Sequence, residues 1–338
     1  MMTSKEIVRK ALRRQGPPRL PVSMPSLGVD DRAVMPFKVP PSFVPVRPGA
    51  DEWGCIWDKT DVPNMGQVIE HPLADMSRLD SCPVPDYRDA SRYVAVDAAL
   101  RQAESEGKYG VAFVFMVLFE RMHSLHGFEN TLMDLYADRP AMEALADRIV
   151  EVHLTFVREV ARRFPGRIDG WCMTDDWGTQ QNAFISYELW MDFFYPRYKR
   201  IFDAMHEAGC DVWVHSCGKI NNIIDGYIQA GVDIVNLQQP RALGIEAIGQ
   251  RYRGRIAFES LADIQTTLPT GDKTLIAADV EALMTHWADA AGGFVFSDYG
   301  DDNAIGVTDS SVKSFMYDTF SQWSEKVYGN PLPPRKSS

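Results

Sequence analysis

Several things are missing from this 338-residue sequence, and each absence narrows what it can be. No apolar run approaches the roughly 18 residues that cross a bilayer, so a membrane is not expected. Basic residues are in deficit: 35 Lys and Arg stand against 46 Asp and Glu, a formal net charge of −11. A surface this acidic argues against nucleic acid or anionic lipid as the main partner and leaves a small molecule as the expected one. The five cysteines, Cys55, Cys82, Cys172, Cys210 and Cys217, form no CxxC pair. They fit a reducing, cytoplasmic setting better than a disulfide framework. Neither a GxGxxG nor a GxxxxGK[ST] pattern occurs, which weakens nucleotide binding in the two commonest modes.

What is present is a regular alternation. "TSKEIVRKALRR" reads as a short amphipathic helix rather than a signal peptide, with Thr3 and Glu6 spaced as a capping box. Gly16 to Pro48 is proline-rich and reads as irregular, with one short strand at "RLPVSM". "DEWGCIWDKT" reads as extended, and "HPLADMSRLDSCPVPD" as a helical turn and a loop. From residue 90 onward, apolar runs of strand length ("YGVAFVFMVL", "RIDGWCMTDD", "CDVWVHSCG", "VDIVNLQQ", "RIAFES", "GFVFSD") alternate with amphipathic stretches. The helical stretch after the first run divides at Asp138-Arg139-Pro140, and Pro196 should kink the long helix that Ser186 caps. Six or seven βα units without a break in composition predict one α/β domain over residues 1–338. Its form should be a closed (β/α) barrel of the TIM type rather than an open sheet, with an irregular N-terminal extension over residues 1–50.

Unusual polar residues fall just past the strands: Asp175, Asp176 and Gln180, then His215 and Cys217, Gln238 and Gln239, Glu259, and Asp298. That is the end where a barrel of this type builds its site. His215 and Cys217, two apart, read either as a buried free thiol beside a hydrogen-bonded histidine, the commoner case, or as zinc ligands; a catalytic zinc takes three protein ligands and an open position. The third ligand is expected from Asp176, Glu259 or Asp298. Side chains as close in sequence as Asp175 and Asp176 diverge at a strand end, so one should enter the site and the other brace a neighbouring loop. Asp176, Gln180 and Gln239 are the expected catalytic and orienting groups. The aromatics Trp171, Trp177, Trp190, Phe193, Phe194 and Tyr195 should be mostly core.

These motifs coincide with a known family. "TDDWGTQ", "VWVHSCGKINNIIDGYIQAGVDIVNLQQP", "DIQTTLPTG" and "GGFVFS", with "HPLADMSRLD" and "LFERMHSLHGFENTLMDLYADRP" before them, resemble the uroporphyrinogen decarboxylase superfamily from about residue 51 to 321. The resemblance implies a single (β/α)8 barrel and two candidate chemistries. The decarboxylase branch grips tetrapyrrole carboxylates with clustered early arginines; here only Arg19 and Arg32 stand in that region. The cobalamin-linked methyltransferase branch includes enzymes serving tetrahydrofolate and coenzyme M, and those serving coenzyme M bind zinc through an H-x-C pair and a later cysteine. His215 and Cys217 match the pair, and no cysteine lies near "SDYGDDN", where Asp298, Asp301 or Asp302 would have to replace it. The resemblance thus implies methyl transfer between a corrinoid, carried by a separate protein, and a small donor or acceptor, with zinc at His215 and Cys217. A metal-free carboxy-lyase using Asp176 or Asp298 is the alternative. A non-catalytic barrel that binds a corrinoid or small ligand is the third reading.

Overall fold

A computed structural model describes residues 2–58 and 66–335, so Lys59 and Thr60 of "DEWGCIWDKT" lie outside the described residues. The labelled elements, in chain order, are α1 (Ser4–Leu12), β1 (Val22–Met24), β2 (Arg32–Val34), α2 (Val96–Ser105), β3 (Tyr109–Val114), α3 (Phe119–His126), α4 (Phe128–Ala137) and α5 (Arg139–Arg163). They continue with β4 (Gly170–Thr174), α6 (Tyr195–Glu207), β5 (Asp211–His215), α7 (Ile224–Ala230), β6 (Ile234–Asn236), α8 (Ile245–Tyr252), β7 (Ala257–Ser260), α9 (Lys273–His286), β8 (Phe294–Ser297) and α10 (Ser311–Tyr328).

Nine strands share one sheet, and all but Val29–Asp30 run parallel. The neighbours run β1-β8-β7-β6-β5-β4-β3-β2, the succession of a (β/α)8 barrel. The seam between β1 and β2 is closed by Asp31. Its N–H donates to Val22 O at 2.8 Å, and its C=O accepts from Tyr109 N at 2.9 Å. Its carboxylate accepts from Val22 N and is clamped by both terminal nitrogens of Arg19.

Strand pleat puts every second side chain into the barrel. Tyr109, Val111, Trp213, Ile234, Ala257 and Val295 form a packed interior, and Val8 of α1 joins it from below. The N-terminal helix therefore plugs the barrel's amino-terminal end. Thr3 and Glu6 make the predicted capping box, and Lys5 and Arg9 reach Asp169 at 2.7 and 2.8 Å. Outside, the apolar faces of the helices cover the sheet, as where Phe258 stacks on Trp287 and Phe296 on Phe320. Trp171, Trp177, Trp190, Phe193 and Phe194 are all buried core, and only Tyr195 of that group is partly exposed.

Two local readings change. The extension contributes two parallel barrel strands rather than one, because β2 follows the β1 turn so closely that its three residues carry no alternation of their own. "YGVAFVFMVL" ends as a strand at Val114, and the separate helix α3 begins at Phe119. Pro196 lies within a helical run that continues from Tyr187 to Glu207 and changes hydrogen-bonding pattern just ahead of it. The irregularity falls just before it, in a π-turn at Trp190–Phe194 after the Ser186-capped turn. The division of the long helical stretch at Asp138 is found as expected, with the Asp138 side chain capping α5.

Candidate metal centre at the barrel mouth

His215 is the last residue of β5 and points inward, like Trp213 two residues before it. In register beside it on β6 stands Asn236, and this pairing makes the first contact of the site. His215 Nδ1 lies 2.7 Å from Asn236 Oδ1. With that acceptor, Nδ1 carries the proton and Nε2 presents its lone pair to the mouth. Cys217 Sγ lies 3.4 Å from this Nε2, and Asp176 Oδ1 lies 3.6 Å from it. One ligand atom from each of Asp176, His215 and Cys217 falls within 4.8 Å of the other two.

The two loops that bring these residues together are held by backbone contacts. Asp176 Oδ1 accepts from Cys217 N at 2.7 Å, Trp177 N donates to Ser216 Oγ, and Lys219 N donates to Thr179 O. Their approach requires glycine. Gly218 has φ of +79°, and a Cβ there would sit 2.2 Å from Gly178 O. Gln180 Nε2 donates to Gln239 Oε1 at 2.9 Å, and the same oxygen accepts from Gly218 N.

Asp175 turns the opposite way from Asp176, as expected of adjacent side chains. It is fully buried and accepts from Leu118, Phe119 and Glu120 N–H at 3.0, 2.9 and 2.7 Å, and from the Tyr198 hydroxyl. It caps α3 from another strand end. Burial pushes its carboxyl up to about 6, opposed by these donors.

The cap sets Glu120 beside the cluster. Burial pushes this carboxyl up to about 9, and the charges of Asp176 and Asp175 add to the effect. Burial likewise raises the Cys217 thiol, and the charged groups acting on it, Asp176 and Glu120, are both acids that raise it further. Tyr299, at the rim, is raised by burial and by the same Cys217 and Asp176. Thiol, imidazole and carboxylate thus converge where their charged neighbours are acids, and this donor set fits a divalent cation of zinc type.

The other proposed ligands are committed elsewhere. Glu259 points inward next to Asn236 in register, but Arg32 holds it through two bonds of 2.9 and 3.1 Å. Asp298 lies 2.6 Å from the buried ammonium of Lys313, which Asp302 also contacts. Asp301 accepts the backbone N–H groups of Asn303 and Ala304. Among the described residues, Asp176 alone joins the His215–Cys217 pair. Glu259, Asp298, Asp301 and Asp302, the other expected third ligands, each have their own cation or backbone partner and do not stand with the pair.

Residues 59–298 match the family model for uroporphyrinogen decarboxylase (URO-D). The chain belongs to the uroporphyrinogen decarboxylase family. Within this uroporphyrinogen decarboxylase family fold, the chain is similar to a solved structure of a methyltransferase from Methanosarcina mazei, with a TM-score of 0.67. The two share 12% identity over 93% of this chain and 99% of that one, a likeness of fold. A family 5 xyloglucanase from Paenibacillus pabuli (10% identity, 80% and 96% covered) reaches a TM-score of only 0.42. A D-psicose 3-epimerase (11%, 69% and 83%) reaches 0.39. No curated protein sequence matches. Among the described residues no helix is long and apolar enough to cross a membrane.

Asn236 and Glu120 were not singled out from sequence. Asn236 had a signal: it is two residues on from the inward Ile234 in "VDIVNLQQP". Glu120 had none, since its place follows from the start of α3 and from the Asp175 cap.

Proposed function

We propose that this member of the uroporphyrinogen decarboxylase family transfers a methyl group between a corrinoid, delivered by a separate protein, and a small donor or acceptor. A zinc ion would be held by Asp176, His215 and Cys217. One observation carries the reading: these three donors meet at the barrel mouth, with the His215 ring turned by Asn236 so that Nε2 faces the other two. When bound, zinc supplies the positive charge that keeps a thiol or water deprotonated at neutral pH.

The chain's own residues do the rest. Asn236 fixes the tautomer and direction of the imidazole. The Gln180–Gln239 pair offers amide groups at the rim to orient a polar substrate. Asp175 fixes the start of α3 and so sets the Glu120 carboxyl, raised by burial, next to the cluster. The corrinoid carries the difficult bond chemistry, while the barrel supplies position and excludes water.

The decarboxylase reading draws less support. Both early arginines that would grip tetrapyrrole carboxylates already hold acids, Arg19 with Asp31 and Arg32 with Glu259. Asp298, one of the two candidate acids of that reading beside Asp176, is bound to Lys313.

The test is a visible-spectrum assay of methylcobalamin demethylation with thiols and with tetrahydrofolate, before and after chelation. The reading expects turnover with one of them, lost on chelation and restored by zinc. No spectral change with either, in zinc-loaded protein, would remove it.

A further inference from the structure

Beside the mouth, between the N-terminal extension and the end of β3, lies a cavity of about 660 Å³. Its walls are aromatic, with Phe43, Trp57, Tyr87 and Phe115, and its buried polar lining includes Arg121 and His153. A volume of this size is ordinary for a small-molecule site.

The Arg121 guanidinium is buried with two of its nitrogens lacking a hydrogen-bond partner, although it is ion-paired with Asp51. Its side chain is only 5% exposed. Among the described residues, Nε and Nη1 have no hydrogen-bond partner. Its contacts are long: Nη2 donates to Phe115 O at 3.4 Å, Nη1 pairs with Asp51 Oδ2 at 3.5 Å, and the Cys55 thiol lies alongside. Both oxygens of Asp51 are already engaged, accepting from the N–H groups of Trp53, Cys55 and the Trp57 indole at 2.9 Å each. Glu52, on the same wall, is held by Arg92. The face of Trp53 lies 4.8 Å from the guanidinium carbon and supports the cation without satisfying its donors. A buried cation with open donors is costly in isolation, and a bound anion offsets that cost through paired N–H···O bonds.

The cavity has a neighbour. Its Trp57 wall is shared with a second cavity of about 350 Å³, lined by Met116, His123 and Phe128. His123 lies within the electrostatic reach of Asp176.

We propose that this cavity binds an aromatic acid, a planar ring bearing one carboxylate, with the ring against Trp57 and the carboxylate on Arg121. One carboxylate is expected because Arg92, the neighbouring cation, already holds Glu52. The ring is expected because the walls are flat and aromatic. That this ligand class is the small partner of methyl transfer rests on the function proposed above; that it binds does not.

The test is calorimetric titration of wild-type protein, without corrinoid, using three probes: 2-naphthoate, its neutral counterpart 2-naphthamide, and cyclohexanecarboxylate. The expected result is binding of 2-naphthoate at least about tenfold tighter than either of the others. In Arg121→Gln, checked for fold by circular dichroism, the preference for naphthoate over naphthamide disappears, and Arg121→Lys retains part of it. Should Arg121→Gln not fold, the ranking of the probes on wild type decides alone. Equal binding of naphthoate and naphthamide, or no binding of either, overturns the proposal. A folded Arg121→Gln that keeps the preference also overturns it. Because the titration needs neither zinc nor corrinoid, failure of methyl transfer leaves it standing, and its own failure leaves the assay at the mouth untouched.

Discussion

His215 and Asn236 face each other across adjacent parallel strands, with Nδ1 and Oδ1 2.7 Å apart. A pleat of period two and a fixed register make them neighbours, and the bond decides which imidazole nitrogen reaches the mouth. Asn236→Ala should leave the fold intact and weaken zinc about 10- to 100-fold, the usual loss for a partner of a ligating histidine. Competition against a chromophoric chelator measures this directly. Unchanged affinity would mean that the ring is oriented by something else.

Asp175 and Asp176 are adjacent but should separate cleanly by experiment. Asp175→Asn removes the charge that receives three α3 N–H groups and should cost about 2 kcal/mol in urea unfolding. Tyr198→Phe, which removes one donor to the same carboxylate, should cost about 1 kcal/mol. Asp176→Asn should lower zinc content with little change in the unfolding midpoint.

Two glycines with nearly the same backbone conformation make a controlled pair. Gly209 (φ +78°) has open space where a Cβ would stand, whereas at Gly218 (φ +79°) a Cβ would meet Gly178 O at 2.2 Å. Gly209→Ala should therefore cost only the left-handed backbone penalty, about 1 kcal/mol. Gly218→Ala should cost about 3 kcal/mol or more and should separate Cys217 from Asp176, lowering zinc content as well.

His153 predicts a pH dependence. It is 2% exposed, and burial, with the Arg121 charge, lowers it to about 3. In the unfolded chain the ring takes a proton near pH 6.5, while the folded ring stays neutral down to about 3. The unfolded state therefore binds more protons between these limits, and stability falls as pH falls through that window. From pH 7 to pH 5 the loss assigned to this ring is about 2 kcal/mol. Urea unfolding of wild type and His153→Leu should show a shallower pH slope in the variant; equal slopes would contradict the assignment.

The barrel was legible because its strands from "YGVAFV" onward are continuous apolar runs, each set off by an amphipathic stretch. β2 was not, because three residues in a proline-rich extension show no period, and Asp31, not an apolar pattern, closes the seam. At the site, His215, Cys217 and Asp176 could be named from strand ends alone. Rejecting Glu259 and Asp298 could not be done that way. Arg32 precedes Glu259 by 227 positions, and Lys313 reaches Asp298 from the first turn of α10. A carboxylate's availability depends on where the fold brings its cation, and sequence spacing does not record that.

The central claim is that Asp176, His215 and Cys217 hold one metal ion. Its most direct test is elemental analysis of wild-type protein beside Cys217→Ser, each stripped with chelator, reloaded with zinc and desalted. The account predicts about one zinc per wild-type chain and a small fraction of that in the variant. Equal zinc in both proteins, or negligible zinc in the reloaded wild type, would contradict it.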